Sequence, residues 1–247
     1  MTPLPLAGRR VVITRAADQV ASLAQRLVAL GVEPIVMPLI EIVDPSDGGV
    51  ALRAALDRLS EFDWLVVTSP NGAERVSGAV AALGDSRPRL AAVGTTTAAA
   101  LSVAPDLVPQ RQITNGLLDE FAIGDGRVLI AQAESAEPDL AEGLATKGWT
   151  VEVVAAYRTV ATNPSRASNS ALLLAVLSAD AVLFASGSAV RAWIDVLGTA
   201  TPPVVIAIGP STASVAERLG LKVSAISADH SVDGLVACLQ DYLLGHG

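Results

Sequence analysis

The sequence predicts an α/β protein made of two similar lobes with parallel sheets. Short apolar runs rich in valine stop at small polar residues, and helical patterns follow them, as in buried parallel strands. Aromatic residues make up only 3% of the chain, so its core must be aliphatic. The pattern also repeats: Asp63 and Asp180 open matching runs, 117 residues apart (180 − 63). A period of this length is too long for a solenoid and indicates two α/β lobes.

The first strand and helix of the chain occupy its first 31 residues. Residues 10–15 form an apolar run that ends in a polar turn, and the helix after it stops at Gly31, a common helix-ending residue. The next segment, 32–43, is extended and about twice the usual strand length of roughly 5–6 residues. Pro38 lies in its middle, where a central strand would not accept it. We therefore expect a strand that leaves its sheet and continues as a connector.

The clearest strand–turn–helix pattern lies at 62–72. Residues 64–67 form a buried strand, and the helix that follows carries Val76 and Val80 on one face. In open α/β sheets, ligands bind where parallel strands end. We therefore expect the hydroxyl of Ser69, which follows this strand, to lie at a binding site.

The remaining elements follow the same alternation, and the second half of the chain repeats the first. In the first half they are a helix at 50–59, a strand at 90–94, a helix from Thr95, a brief strand at 106–109 and a helix from Thr114. In the second half they are a strand at 127–130, a helix ending at Gly148, an extended segment at 150–159, a strand from 180, a strand at 204–209 with a helix from Pro210, and a helix from 233.

The two long extended segments predict how the lobes are connected. Both lie where the chain can pass from one lobe to the other, so that the first strand–helix–strand unit packs with the later strands of the second half. The predicted lobes are 1–38 with 160–247, and 43–154, joined by a connector of 39–42 and 155–159.

Composition excludes several classes of function. A net charge of −8 argues against broad nucleic-acid binding, which needs a basic face. The one cysteine, Cys238, permits no internal disulfide, and the two histidines have no metal-ligand spacing. The start of the chain does not have the pattern of a signal peptide, and the most apolar window, 171–190, is too polar to span a membrane. We therefore expect a cytoplasmic protein that does not bind membranes.

Five short motifs, taken in order, resemble the uroporphyrinogen-III synthase family along nearly the whole chain. They are Val-Ile-Thr-Arg at 12–15, Val-Val-Thr-Ser-Pro-Asn-Gly at 66–72, Ala-Val-Gly-Thr-Thr-Thr at 92–97, Ala-Tyr-Arg-Thr at 156–159 and Ala-Ile-Gly-Pro-Ser-Thr-Ala at 207–213. One departure is Ala16, where many bacterial members have proline.

This resemblance implies a fold, a substrate and a reaction. The fold is two flavodoxin-like lobes joined by a two-stranded connector, with the substrate in the cleft between them. Hydroxymethylbilane, a linear tetrapyrrole polycarboxylate, is closed to uroporphyrinogen III with inversion of its last ring through a spiro intermediate. The family uses no metal or organic cofactor. We expect a monomer that receives its substrate from hydroxymethylbilane synthase.

The resemblance also assigns residues to the site. Helix N-termini carry free N–H groups and partial positive charge, which suits a polyanion, and arginines add charge-assisted bonds. The implied substrate-binding residues are Thr14, Arg15, Ser69, Asn71, Gly94, Thr96, Arg158, Ser186, Ser188, Pro210, Ser211 and Thr212. The alternatives are that the hydroxyls only cap helices, that the glycines only permit tight turns and that Arg15 is a solvated surface charge.

Tyr157 is the candidate catalytic residue. The reaction begins with loss of a hydroxyl group, and a nearby weak acid assists that departure. Tyr157 is one of only two tyrosines and lies in the second extended segment. The alternative is a connector residue whose hydroxyl lies in water.

Two other functions fit the same pattern. A two-lobed ligand-binding sensor shares every feature except the need for Tyr157, and incubation with hydroxymethylbilane separates it from an enzyme. A flavodoxin-like domain that uses FMN or a phosphoryl switch fits less well. Aromatic residues for stacking on FMN are scarce, and the strand ends carry hydroxyls rather than clustered acids.

Overall fold

A computed structural model describes residues 4–162 and 170–245 of the chain, except for the side chain of Asp18. It divides into two compact units. The first unit combines Met1–Glu41 with Val160–Gly247, and the second is Ile42–Thr159. The division predicted from sequence, with 39–42 and 155–159 as a separate connector, stays a prediction.

The described elements alternate between strands and helices for most of the chain. The strands are β1 (Arg10–Ile13), β2 (Glu33–Val36), β3 (Ile40–Val43), β4 (Trp64–Val67), β5 (Arg89–Ala92), β6 (Arg127–Ala133), β7 (Thr150–Ala161), β8 (Ala181–Phe184), β9 (Val204–Ala207) and β10 (Ala225–Ile226). The helices are α1 (Val20–Ala29), α2 (Val50–Leu56), α3 (Pro70–Leu83), α4 (Thr95–Ala99), α5 (Thr114–Glu120), α6 (Asp139–Thr146), α7 (Ser170–Leu177), α8 (Gly187–Leu197), α9 (Pro210–Arg218) and α10 (Val232–Leu244).

The sheet of the first unit has the order β10-β9-β8-β1-β2, and its paired strands are parallel. β1 pairs with β8 in the register Val11 to Ala181, so a strand from the start of the chain joins strands from its end. Leu23 of α1 and Leu239 of α10 are fully buried on one face of this sheet. Such burial is the main stabilising contribution to a unit of this kind.

The sheet of the second unit has the order β3-β7-β6-β4-β5. β4 pairs in parallel with β5 and with β6, again joining strands from the two halves of the chain. Helices α2 and α3 cover one face, and α5 and α6 cover the other. Leu107 forms only an isolated bridge to Ala91, so the brief strand expected at 106–109 reduces to one pair. The predicted α/β class is confirmed, with two sheets that are mostly parallel.

The chain changes sheets at Pro38. Before it, the N–H of Met37 donates to Ile13 O at 2.9 Å, which extends the pairing of β1 with β2. After it, β3 joins the second sheet beside β7, a strand of 12 residues. Both β2 and β3 are edge strands, so proline at the crossing interrupts no central strand.

Candidate functional site

Most of the predicted site residues follow strands that are neighbours in a sheet. Because the strands are parallel, their carboxyl ends meet at one edge of each sheet. In the first unit this edge holds Thr14 and Arg15 after β1, Ser186 and Ser188 after β8, and Pro210, Ser211 and Thr212 after β9. In the second unit it holds Ser69 and Asn71 after β4, Gly94 and Thr96 after β5, and Tyr157 and Arg158 near the end of β7.

Ser69 and Ser186 both cap helices in the same way. The Ser69 hydroxyl oxygen accepts a hydrogen bond from Gly72 N at 3.1 Å, and the Ser186 oxygen accepts one from Ala189 N at 3.2 Å. Both side chains are half-buried, as are Asn71 and Ser188 beside them. Each hydroxyl therefore satisfies one donor of its helix and still borders solvent.

The Thr14 hydroxyl is committed to the sheet. The side chain is fully buried, and Oγ1 donates to the carbonyl oxygen of Leu183 at 2.9 Å. This bond ties the end of β1 to β8, so the geometry gives Thr14 a structural role and leaves its hydroxyl unavailable to a ligand. Arg15 is half-buried, and its Nη2 donates to Gln19 Oε1 at 2.9 Å.

Two side chains that sequence analysis did not identify cover the glycine turns before α4 and α9. Gln112 Oε1 accepts from Thr95 N at 2.9 Å and from the Thr95 hydroxyl at 3.1 Å. A Cβ on Gly94 would lie 2.8 Å from the same oxygen. His230 takes the matching place in the first unit, since a Cβ on Gly209 would lie 2.9 Å from His230 Cδ2. A Cβ at either turn would therefore have to displace a side chain that packs against the backbone.

The N-terminus of α9 presents backbone donors. Gly209 has no side chain to cap the helix, and Pro210 has no N–H, so the first donors belong to Ser211 and Thr212. Pro210 and Ser211 are exposed, whereas Thr212 is buried. Thr96 of α4 occupies the place that Ser211 has on α9, and it is also exposed.

A β-bulge determines the direction in which Tyr157 points. β6 and β7 pair in regular register up to Gln132 and Ala155, but Ala133 then pairs with Tyr157, which leaves Ala156 as an extra residue. Side chains alternate along a strand, so without the bulge Tyr157 would point to the opposite face of the sheet. With it, Tyr157 joins the core beneath α2 and α3 and is 7% exposed. Within the described residues its hydroxyl makes no hydrogen bond, so the O–H is available as a donor.

Arg158 belongs to a polar network that we call the Asp44 cluster, made of Asp44, Ser46, Arg75, Glu134 and Arg158. Arg158 Nε donates to the Asp44 carbonyl at 3.1 Å, and Arg75 Nη1 lies 2.7 Å from Asp44 Oδ1. Glu134, directly after β6, accepts from the hydroxyl and the N–H of Ser46. The Ser46 hydroxyl, then its N–H, with Arg158 as a smaller influence, hold the pKa of Glu134 below its ordinary value.

Neither a metal-ligand set nor a membrane span is found in the described parts of the chain. No three His, Cys, Asp or Glu side chains in residues 4–162 and 170–245 are grouped so that they could hold a metal ion. Over the same residues, every helix is too short or too polar to cross a bilayer.

Known proteins of similar sequence include uroporphyrinogen-III synthases. The family described as uroporphyrinogen-III synthase HemD matches residues 21–237. The uroporphyrinogen-III synthase of Synechococcus elongatus is 27% identical over 98% of both chains. The chloroplastic uroporphyrinogen-III synthase of Oryza sativa subsp. japonica is 29% identical over 96% of this chain and 82% of its own.

Solved structures support the same fold. A mutant uroporphyrinogen III synthase from Thermus thermophilus aligns with a TM-score of 0.64 at 20% identity, covering 96% of this chain and all of its own. The enzyme from Helicobacter pylori aligns with a TM-score of 0.59 at 18% identity, over 93% and 97% of the two chains. The family profile covers most of the sequence and the fold agrees with it, and the chain therefore belongs to the uroporphyrinogen-III synthase family.

Proposed function

We propose that this protein is an active uroporphyrinogen-III synthase, a cyclising lyase of tetrapyrrole and haem biosynthesis. It takes hydroxymethylbilane and closes it to uroporphyrinogen III with inversion of the last ring, ring D. Membership of the family supports this proposal, as does the placement of the predicted residues at the carboxyl edge of each sheet. The placement of these residues carries the proposal, because it is a property of this chain and not of its relatives.

Main-chain donors explain how an acidic protein binds a polyanionic substrate. The protein has a net charge of −8, because 25 acidic side chains outnumber 17 basic ones. Helices α3, α8 and α9 all begin at the carboxyl edge of a sheet, where their N-termini present N–H groups and partial positive charge. Asn71, Ser188 and Ser211 belong to these first turns and are half-buried or exposed. Carboxylates of the substrate are bound there, and Arg15 and Arg158 supply charge-assisted bonds.

The chemistry requires assistance to a leaving group and control of conformation. The C–O bond of the terminal hydroxymethyl group breaks, water leaves and a resonance-stabilised cation remains. The Tyr157 hydroxyl gives the departing oxygen the proton that makes it water, and the proton lost from the ring in the last step restores the phenol. Ring D then attacks through its substituted carbon to form the spiro intermediate, and its rearrangement and the loss of a proton give the inverted ring. Holding a flexible chain in the shape for this attack removes much of its entropic barrier.

Isomer analysis tests the proposal directly. The purified protein is incubated with freshly generated hydroxymethylbilane, the products are oxidised, and the porphyrin isomers are separated. We expect the type III isomer to dominate, because spontaneous closure gives type I. Type I alone, at the uncatalysed rate, would instead indicate a binding protein without catalytic activity.

Three other features of the proposal concern the protein's surroundings. We propose that it acts in the cytoplasm, as a monomer, on substrate received from hydroxymethylbilane synthase. Size determination in solution and a coupled assay of the two enzymes test the last two of these statements.

A further inference from the structure

We propose that Arg75 is a further substrate-binding residue, which together with Arg158 binds one carboxylate of the substrate, and that Asp44 competes with the substrate for it. This inference rests on the proposed function. Arg75 lies on α3, four residues after Asn71 and therefore on the same side of the helix, one turn further from its N-terminus.

Two arginines converge on Asp44 from different elements. Arg75 reaches its carboxylate from α3, with Nη1 2.7 Å from Oδ1, and Arg158 reaches its backbone carbonyl from β7, at 3.1 Å. Arg158 directly follows Tyr157, the candidate acid. Arg75 thus already holds a carboxylate, on a residue whose backbone carbonyl a second guanidinium group contacts. The group that this arrangement recognises is a carboxylate, of which the proposed substrate carries several.

The Asp44 side chain is easily displaced, whereas its backbone is not. The Asp44 side chain is 72% exposed, and the Arg75 side chain is 26% exposed. An ion pair with so exposed a partner is weak. The loop itself is anchored, because Ser46 N donates to Glu134 at 2.9 Å and Asp47 accepts from Gly49 N and Ala51 N. Rotation of one side chain therefore releases Arg75 to an incoming carboxylate without moving the loop.

Binding of uroporphyrin III, a stable octacarboxylate, tests the inference without requiring turnover. Affinity is measured by quenching of tryptophan fluorescence in the full-length protein. We expect Arg75→Gln to weaken binding by about tenfold, as for a lost charge-assisted hydrogen bond, and Asp44→Asn to tighten it by about threefold. In the double variant, Asp44→Asn should no longer tighten binding. The matched controls are Arg87→Gln and Asp106→Asn, whose ion pair of 2.9 Å lies in the same unit.

The outcomes separate this inference from the proposed function. If the wild type produces the type III isomer and binds uroporphyrin, but the Arg75 and Asp44 variants behave like the controls, only the inference is overturned. Weaker binding by Asp44→Asn also overturns it, because a competitor cannot assist the ligand. If the wild type neither binds uroporphyrin nor closes hydroxymethylbilane, the proposed function fails, and the inference fails with it.

Discussion

Asp180 accepts a hydrogen bond from the backbone N–H of Arg10 at 2.8 Å, although 170 residues separate them. The N–H of Asp180 donates in return to the Arg10 carbonyl, also at 2.8 Å. Asp63 makes the same pair of bonds with Arg127, at 2.7 and 2.9 Å. Both aspartates directly precede a strand of one half of the chain and hold the start of a strand from the other half. The repeat therefore preserves the bonds that join the two halves, as well as the pattern of strands and helices.

The Asp180 contact predicts acid sensitivity. The hydrogen bond from Arg10 N is the main favourable influence, with Arg9 adding to it against the opposing effect of burial, and the pKa of Asp180 lies below its ordinary value of 3.8. A lowered pKa in the folded state means that the stabilisation is complete above the unfolded pKa. It is lost as the pH falls from about 3.8 through the folded value.

Replacing the carboxylate should remove this pH dependence. We expect Asp180→Asn to lower the free energy of unfolding at pH 7 by about 1 kcal/mol, since the amide still accepts but carries no charge. The loss should shrink below pH 3.8, as urea unfolding at several pH values would show. The exposed Asp195 supplies the control, Asp195→Asn, which should change little. An equal loss at pH 7 and at low pH would contradict the assignment.

The serine caps predict that stability and turnover can be separated. Ser69→Ala, Ser186→Ala and Ser231→Ala should each cost about 1 kcal/mol, because each hydroxyl accepts from a first-turn N–H. Ser231 caps α10 and is not a predicted site residue, so it is the matched control. Turnover at a temperature where all variants are folded should fall only for Ser69→Ala and Ser186→Ala. Equal turnover in all three would show that the first two serines only cap.

Tyr157 offers a test of the catalytic assignment. Tyr157→Phe removes the hydroxyl but keeps the ring packed in the core, so we expect little change in thermal stability and turnover reduced by about tenfold or more. Tyr242, which is 40% exposed on α10, provides the control Tyr242→Phe. The measurements are kcat, the isomer ratio and the melting temperature. Unchanged turnover in Tyr157→Phe would remove this residue from the mechanism.

Two helical glycines should respond in opposite ways to alanine. A Cβ on Gly116 of α5 would overlap the carbonyl oxygen of Arg111, and backbone atoms do not move easily. We expect Gly116→Ala to cost about 1–3 kcal/mol. Gly78 of α3 has open space around it, so Gly78→Ala should stabilise by about 0.5–1 kcal/mol. Chemical denaturation of both variants would decide, and a stabilised Gly116→Ala would contradict the close approach.

Much of the fold could be predicted from sequence because it depends on local patterns. Apolar runs that end in hydroxyl residues identified β4 and β8, and the spacing of 117 residues identified the repeat. The position of Pro38 predicted the change of sheet, since the steric demands of proline act on its own residue and its neighbours. The family resemblance followed from the order of such local motifs, and the family match confirms it.

Other features depend on register and on distant contacts, which sequence patterns do not reveal. The direction of Tyr157 requires the bulge at Ala156, and one residue more or less in the pairing would reverse it. The Asp44 cluster joins the Asp44 side chain to Arg75, 31 residues away, and the Asp44 carbonyl to Arg158, 114 residues away. His230 was considered only as a metal ligand, because its packing on Gly209 depends on the tertiary structure.

The pairing of β1 with β8 and of β4 with β6 has a consequence for fragments of this protein. A polypeptide that ended near Gly124 would contain β1 and β2 of the first sheet and β3, β4 and β5 of the second. Neither sheet would be complete. It could bury its apolar strand faces only by folding back on itself or by exchanging strands with another molecule. Two half-length chains produced together would therefore complement each other, whereas either one alone would tend towards swapped dimers or aggregates.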